Sequence, residues 1–193
     1  MATLTGASIT VTASDDQLLR NLQNLAESPD TTPLMYRMGE YFEDSTKQRF
    51  KTQVAPDGNP WKPLSPGYVK RKKQNQTLIL TLNGYLRGYI AHQVLSSSEV
   101  AWGSNRIYAA IQQWGGTIDQ AAQSRRQRFH LVDGKTRFAG RQHENAAERW
   151  VERGAYQIEI PARPYLGVSS ADNDEVLAIV QDWLHRKMNG LSD

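Results

Sequence analysis

Apolar residues recur at helical spacing in three segments, and each segment is bounded by residues typical of helix ends. The first, residues 14–29, begins at Ser14 as an N-cap and ends at Pro29-Asp30. The second begins near Pro33, a residue suited to the first helical turn, and extends to Phe50. The third covers residues 172–188. We expect three amphipathic helices whose apolar faces pack against a core.

Shorter segments alternate polar and apolar residues, as half-buried strands do. They are residues 8–12, 89–95, 99–103 and 155–160. Three serines separate the second segment from the third, so a β-hairpin is predicted there. Residues 78–87 predict a short turn or helix that docks on the sheet. Residues 107–116 predict a short helix stopped by two glycines, with Tyr108, Ile111 and Trp114 on one face.

The pattern changes between residues 117 and 154, where Gln, Ala and Arg are abundant and large apolar residues are few. We interpret residues 117–154 as a basic inserted arm, and residues 1–116 with 155–193 as the core domain. Within the arm we expect a hairpin over residues 128–138, turning at Asp133-Gly134, and then a helix from about residue 145 to 153. A long excursion of this kind is usually functional, or poorly ordered until a partner binds.

Prolines mark two irregular segments. Residues 55–67 contain four prolines and predict a loop, which Trp61 and Leu64 pin by packing back onto the domain. Residues 160–169 contain Pro161 and Pro164, which hold the backbone extended and favour a stiff joint after the last strand. Arg163 lies between these two prolines. It is predicted either to pair with an acidic group of a neighbouring subunit or to pair within its own chain.

Composition narrows the range of functions. At 193 residues the chain suits one domain with a substantial core, or one domain carrying an extended arm, and we favour the second. The absence of cysteine excludes disulfides, thiolate zinc sites and a cysteine nucleophile. No apolar run approaches the ~20 residues that span a bilayer, and the N-terminus has no signal-peptide pattern. We therefore expect a soluble protein with no membrane partner.

The net charge of +3 is unevenly distributed. Residues 1–46 contain seven acidic residues against two basic, whereas residues 47–73 contain eight basic residues against Asp57 alone. A second basic run, residues 125–141, has six basic residues against Asp133, and the segment from Asp172 is net acidic. Opposite patches can steer head-to-tail association of identical copies, and basic patches can face phosphate. The alternative is that these runs are simply solvated surface.

Candidate catalytic residues are few. A hydrolase or nuclease would have to use His130, His143 and Glu144, but no second histidine completes a zincin motif and no carboxylate cluster suits two metals. His92 alternates with apolar neighbours and is interpreted as a structural imidazole. We therefore predict no enzymatic activity, no catalytic residues, no metal and no cofactor.

Four motifs with prolines, glycines and aromatic residues occur in order along the chain. They are Pro56-Asp57-Gly58 with Trp61 and Pro63-Leu64; Ile79-Leu80 with Gly84 and Leu86; Tyr108-Ala109 with Gln112 and Trp114-Gly115-Gly116; and Ile160-Pro161-Ala162-Arg163-Pro164-Tyr165-Leu166-Gly167. In this order they resemble the phage virion morphogenesis, or tail completion, family of contractile-tailed phages such as Mu. The resemblance covers residues 9–188. Family members often have Phe where Tyr165 stands, and the long basic insertion is less typical of them.

The resemblance implies an α+β fold, in which a mainly antiparallel sheet packs with two or three helices, plus the basic extended insertion. It implies a structural protein of the virion neck, assembled in the bacterial host cytoplasm. We expect a homo-oligomeric ring, hexameric as in related neck proteins, that completes the head-proximal end of the tail and joins it to the head. Its partners would be tail tube and sheath proteins and a head-side neck or connector protein. The alternative is a sequence-independent DNA-binding protein acting in virion assembly.

Two sets of site residues follow from this interpretation. The residues predicted to contact other subunits or neck proteins are Arg163, Tyr165, Leu166, Trp114 and Trp61. The residues predicted to face the ring lumen, and phage DNA there without sequence specificity, are Arg125, Arg126, Arg128, Lys135, Arg137 and Arg141. No helix-turn-helix or zinc finger supports sequence-specific reading of DNA.

Overall fold

The computed structural model describes residues 7–12, 30–140, 143 and 146–188. The helices of this part are α1 (Thr32–Thr52), α2 (Pro66–Arg71), α3 (Tyr85–Gly88), α4 (Ala109–Trp114) and α5 (Ser170–Met188). The strands are β1 (Ala7–Thr12), β2 (Ile90–Ser96), β3 (Glu99–Ser104), β4 (Gly116–Gln120), β5 (Gln123–Val132), β6 (Lys135–Phe138), β7 (Ala147–Arg153) and β8 (Tyr156–Ile160). The α+β class expected from the resemblance is confirmed. The helix predicted over residues 14–29 lies outside the described residues.

The chain folds into two compact units. The core unit consists of residues 1–115 and 161–193, and the inserted unit consists of residues 116–160. In the core unit, β1, β3 and β2 form an antiparallel sheet in that order, with β3 in the centre. The hairpin predicted around the three serines is confirmed as β2 and β3. Helix α1 packs on β2, β3 and α5.

Aromatic side chains fill the core between α1 and the sheet. The rings of Phe42 and Trp102 stack with centroids 4.3 Å apart and planes 7° apart, and Trp102 is fully buried. Trp102 Nε1 donates a hydrogen bond of 3.1 Å to Thr46 Oγ1. The apolar face predicted for residues 33–50 is therefore the one that α1 buries.

Gly39 lies where α1 comes closest to the sheet. A Cβ atom there would lie 2.5 Å from His92 Cδ2 and 3.0 Å from Val100 Cγ2. His92 has little room to move, because its Nδ1 lies 2.7 Å from Glu43 Oε2 and its ring packs edge-on against Tyr36. The structural role predicted for His92 is consistent with this packing.

Substituting Gly39 with alanine is expected to destabilise the protein by about 1–3 kcal/mol, because the added methyl group overpacks the contact with His92. Helix propensity alone would stabilise the variant by about 1 kcal/mol, so the expected sign is opposite to the intrinsic preference. Urea denaturation measures the difference. Gly88→Ala is the control, because a Cβ at Gly88 meets no atom within 4 Å. Equal stability of the two variants would contradict the close packing at Gly39.

The inserted unit contains two antiparallel sheets and no buried residue among those described. Strands β4 and β8 pair with each other from Gly116↔Ile160 to Gln120↔Tyr156. Strands β6, β5 and β7 form a second sheet in that order. The hairpin predicted over residues 128–138 is confirmed as the paired parts of β5 and β6, joined at Asp133-Gly134.

Two predictions about local structure need correction. The helix expected over residues 145–153 is wrong, because residues 147–153 form β7, which pairs with β5 along its whole length. The residues that α4 buries are Ala109 and Gln113, so the face predicted to carry Tyr108, Ile111 and Trp114 is not the buried one. Helix α2 and strand β4 were not anticipated from the sequence pattern.

Candidate assembly surfaces

The joint after β8 is held inside the core unit by a buried side-chain amide. Gln113 Oε1 accepts hydrogen bonds from the backbone N–H groups of Tyr165 (2.9 Å) and Leu166 (3.0 Å). Gln113 Nε2 donates to the Leu166 carbonyl at 2.9 Å. Trp61 Nε1 donates to the Pro164 carbonyl at 2.7 Å, and so ties the proline-rich loop to the same segment. The joint is therefore a buried part of the core unit, hydrogen-bonded to α4 and to the proline-rich loop.

This arrangement corrects the subunit contacts predicted for four residues. Tyr165, Leu166, Trp61 and Arg163 are buried, with 0%, 2%, 4% and 6% of their surface exposed. Arg163 Nε donates to the Lys62 carbonyl at 2.8 Å and its NH2 donates to the Pro63 carbonyl at 3.2 Å. Burial also lowers the pKa of Arg163. Of the two alternatives for Arg163, the structure shows pairing within its own chain.

A second buried arginine, Arg49 of α1, fixes the other end of the joint. Its NH1 donates to the carbonyls of Tyr165 (3.1 Å) and Gly167 (2.8 Å), and its NH2 pairs with the buried Asp172 carboxylate of α5. Asp172 Oδ2 also accepts from Ser169 N and Ser169 Oγ, both at 2.7 Å, which caps α5. The joint, α1 and α5 thus share one polar cluster.

The electrostatics of this cluster are dominated by burial and by charge-assisted hydrogen bonds. Burial disfavours the charged form of Asp172, but hydrogen bonds from Ser45 and Ser169 and the charge of Arg49 outweigh it, so the pKa of Asp172 is lowered. Burial and the Asp172 hydrogen bond together raise the pKa of Tyr41 to about 12. The carboxylate is therefore ionised, and the phenol neutral, at neutral pH.

Asp172 should make the stability of the protein depend on pH in acid. A carboxyl group whose pKa is lower in the folded state stabilises the fold above its unfolded pKa of about 4, and this contribution is lost as the pH falls through the folded pKa. We expect the melting temperature to fall below about pH 4, and to fall less in Asp172→Asn. Asp182→Asn is the control, because it removes a carboxylate that forms only exposed ion pairs, with Arg37 and Arg186. Parallel pH profiles for Asp172→Asn and the unmodified protein would contradict the assignment.

Exposed aromatic residues form a surface at one end of the core sheet. Ile90 pairs with Ser104, so the residue before β2 and the residues after β3 lie at the same sheet end. Arg106 lies over the ring of Tyr89, with its Cζ atom 3.5 Å from the ring centroid, and 5.7 Å from that of Tyr85. We call Tyr85, Tyr89, Arg106 and Ile107 the aromatic surface.

The side chains of the aromatic surface are far more exposed than large apolar groups usually are. Tyr85 and Tyr89 are more than half exposed, and Ile107 is 97% exposed. No described residue accepts a hydrogen bond from the shielded Nε of Arg106. Aromatic residues and arginine are enriched at the centres of protein interfaces, and exposed apolar patches mark them. The aromatic surface is therefore a candidate interface with another protein.

Trp114, the remaining residue predicted to contact other subunits, is 60% exposed at the end of α4. The sequence prediction missed the aromatic surface because Tyr85 was assigned to a turn or helix that docks on the sheet, and Tyr89 to a strand of the hairpin. The available signal was the pair Arg106-Ile107, which follows a predicted strand after only two residues.

The basic residues predicted to face a lumen lie on the second sheet of the inserted unit, except Arg141, which is outside the described residues. Paired residues of an antiparallel sheet share a face. Arg125 therefore lies on one face of the sheet, and the opposite face carries Arg126, Arg128, Lys135 and Arg137. The sequence prediction treated them as one group and missed Arg149 and Arg153, because it interpreted their segment as a helix.

Candidate catalytic groups are not assembled into a site in the part of the chain that the structure describes. The rings of His130 and His143 stack with centroids 4.2 Å apart, and Glu144 lies outside the described residues. Among the described residues there is no group of three histidines or carboxylates able to hold a metal ion. None of the described helices has the length and apolar character needed to cross a membrane.

Comparison with known proteins gives two matches and one negative result. A model of the phage virion morphogenesis family matches residues 13–185. The chain is 29% identical over 141 residues to the "Putative capsid assembly protein G" of Escherichia phage Mu, a match that covers 71% of this chain and 69% of the relative. No solved structure matches the chain significantly.

Proposed function

The chain belongs to the phage virion morphogenesis family, and on this basis we propose that it is a structural protein of the virion neck. A structural role in phage assembly follows from the family itself. The proposal adds that copies of the chain form a ring, hexameric as in related neck proteins. This ring completes the head-proximal end of the tail and joins it to the head.

The observation that carries the proposal is the exposure of Ile107 within the aromatic surface. Ile107 directly follows Arg106, which lies over two half-exposed tyrosines, and a β-branched apolar side chain that is 97% exposed gains stability when a partner covers it. A stable interface buries roughly 1,200–2,000 Å² in total, and such a cluster fits its centre. The contacts in a ring are head-to-tail, so the aromatic surface of each copy would contact a different surface of the next copy. Such contacts form a closed ring when the rotation between neighbouring copies divides a full turn.

The proposed partners of the ring follow from its place in the virion. One side of the ring contacts the tail tube and sheath proteins, and the other contacts a head-side neck or connector protein. Trp114 is a candidate anchor for these contacts, because it is a large aromatic residue exposed at the end of α4. The ring would be assembled in the host cytoplasm and retained in the virion.

Substituting Ile107 with aspartate is expected to abolish ring formation while leaving the fold unchanged, because the charge would be buried in the interface but is solvated in the free subunit. Electron microscopy and native mass spectrometry measure assembly, with and without added tails, and a thermal melt measures folding. Ile107→Val is the control, since it keeps an apolar branched side chain and should still assemble. If the unmodified protein forms no ring alone and none on tails, the proposal fails.

A further inference from the structure

The three-stranded sheet of the inserted unit has two faces of different charge. The face that carries Arg125 also carries Gln123, Gln127, Phe129, Leu131, Phe138, Ala147, Arg149, Val151 and Arg153. Its three arginines are all exposed, and we call Arg125, Arg149 and Arg153 the arginine face. The acidic residues of these strands, Glu148 and Glu152, point to the other side. The arginine face is therefore cationic, with no carboxylate from its own strands.

The opposite face is largely neutralised in the part that lies behind the arginine face. There Arg126 lies 3.7 Å from the Glu148 carboxylate and over the ring of Trp150 at 5.3 Å. Glu152 pairs across from Ser124 on the same side. The two faces of this sheet therefore differ in charge: carboxylates lie beside the cations on the opposite face, but not on the arginine face. The net charge of the whole segment does not reveal this difference.

The spacing of the three arginines suits a linear polyanion. Arg125 pairs with Val151, so Arg149 and Arg153 lie at its two diagonal positions on β7. Diagonal neighbours across an antiparallel pair are about 7–8 Å apart, and therefore the backbone positions of the three arginines form a bent row with that step. The intervening side chains on the same face include Gln123 and Gln127, whose amides can also donate hydrogen bonds to oxygen.

We propose that the arginine face binds the phosphate backbone of double-stranded DNA without reading its sequence. Guanidinium groups bind phosphate in a bidentate manner, and backbone contacts carry no sequence information. A protein interface would be expected to centre on large apolar anchors, and on this face those anchors, Phe129 and Phe138, lie together at the other end of the sheet. Ring formation is not required for this binding.

The test is the salt dependence of binding to two fluorescent DNA duplexes of unrelated sequence, followed by anisotropy with the full-length protein. Three phosphate contacts for each bound subunit predict a slope of about −2.7 when the logarithm of the binding constant is plotted against the logarithm of the salt concentration. The affinity should therefore fall about 40-fold between about 50 and 200 mM salt. Both duplexes should bind equally. The variant Arg125→Gln/Arg149→Gln/Arg153→Gln should lower affinity at least about 10-fold at about 50 mM salt and remove most of the slope.

A matched control removes the same charge from the other side of the sheet. Arg126→Gln/Lys135→Gln/Arg137→Gln should lower affinity less than about threefold, because charges about a Debye length from the phosphates are largely screened. Circular dichroism verifies that both variants are folded.

The proposal is overturned if the duplexes do not bind at about 50 mM salt, if both triple variants lose affinity equally, or if polyglutamate of equal charge competes as well as DNA. In the last case the face recognises an acidic protein. Ring formation by electron microscopy is scored separately, so neither result depends on the other.

Discussion

Replacing Arg49 with methionine is expected to lower the free energy of unfolding by about 3–5 kcal/mol. The substitution would leave the Asp172 carboxylate, which is 2% exposed, without its cationic partner. It would also remove the donor to the carbonyls of Tyr165 and Gly167, which lie 116 and 118 residues away in sequence. A buried charge that loses its partner costs far more than the pair contributed when intact.

Urea denaturation of Arg49→Met, with Arg186→Met as the control, measures this effect. Arg186 pairs with Asp182 at 3.0 Å, but both side chains are more than 40% exposed, so its loss should cost at most about 1 kcal/mol. The double variant Arg49→Met/Asp172→Leu should be more stable than Arg49→Met alone, because no isolated charge remains buried. Equal costs for Arg49 and Arg186 would show that the buried pair does not hold the joint.

Replacing Trp102 with alanine is expected to have an effect of similar size, about 3–5 kcal/mol, since it opens a large cavity in the centre of the core. Trp102 lies on the central strand β3, has no exposed surface, and stacks on Phe42. The substitution also removes the donor that pairs with the buried hydroxyl of Thr46.

Trp150→Ala provides the comparison for this second effect. Trp150 belongs to β7 of the inserted unit and is 63% exposed, and its contact with Arg126 contributes at most about 1 kcal/mol. Thermal unfolding monitored by circular dichroism should therefore detect a large loss for Trp102→Ala and little for Trp150→Ala. A comparable loss for both would indicate that the inserted unit contributes as much to stability as the core.

The elements of the core unit could be predicted because their patterns are long and locally bounded. Helix α1 begins within one residue of the predicted start, since Pro33 favours the first turn and the apolar residues that follow repeat at helical spacing. The β2–β3 hairpin was predictable because two alternating segments are separated by a short polar turn. In both cases the local preference agrees with the tertiary environment.

Strand β7 could not be predicted by the same rules. Its sequence, Ala147-Glu148-Arg149-Trp150-Val151-Glu152-Arg153, is rich in residues with high helix propensity. Pairing with β5 overrides this propensity, because each backbone group on that side gains a partner. Its residues do not alternate polar with apolar side chains, so the pattern typical of a half-buried strand is missing as well.

The role of the joint was misjudged because its partners are backbone carbonyls. A sequence shows which acidic residues are available to pair with an arginine. It does not show that the backbone carbonyls of Lys62 and Pro63 accept hydrogen bonds from Arg163. For the same reason the role of Gln113 was not predicted, although its side-chain amide accepts hydrogen bonds from two residues of the joint. Buried arginines bonded to carbonyls are recognisable only once the loops that carry those carbonyls have been placed.

The order of synthesis gives the inserted unit a consequence for folding. Helix α1 leaves the ribosome more than a hundred residues before Asp172, its partner in the buried ion pair. The nascent chain must therefore keep the apolar face of α1 from aggregating until the joint and α5 emerge. Closing so long a loop is slow and entropically costly. In the folded chain the pairing of β4 with β8 holds residues 116 and 160 side by side, so the insertion adds little to the length of the loop that the core unit must close.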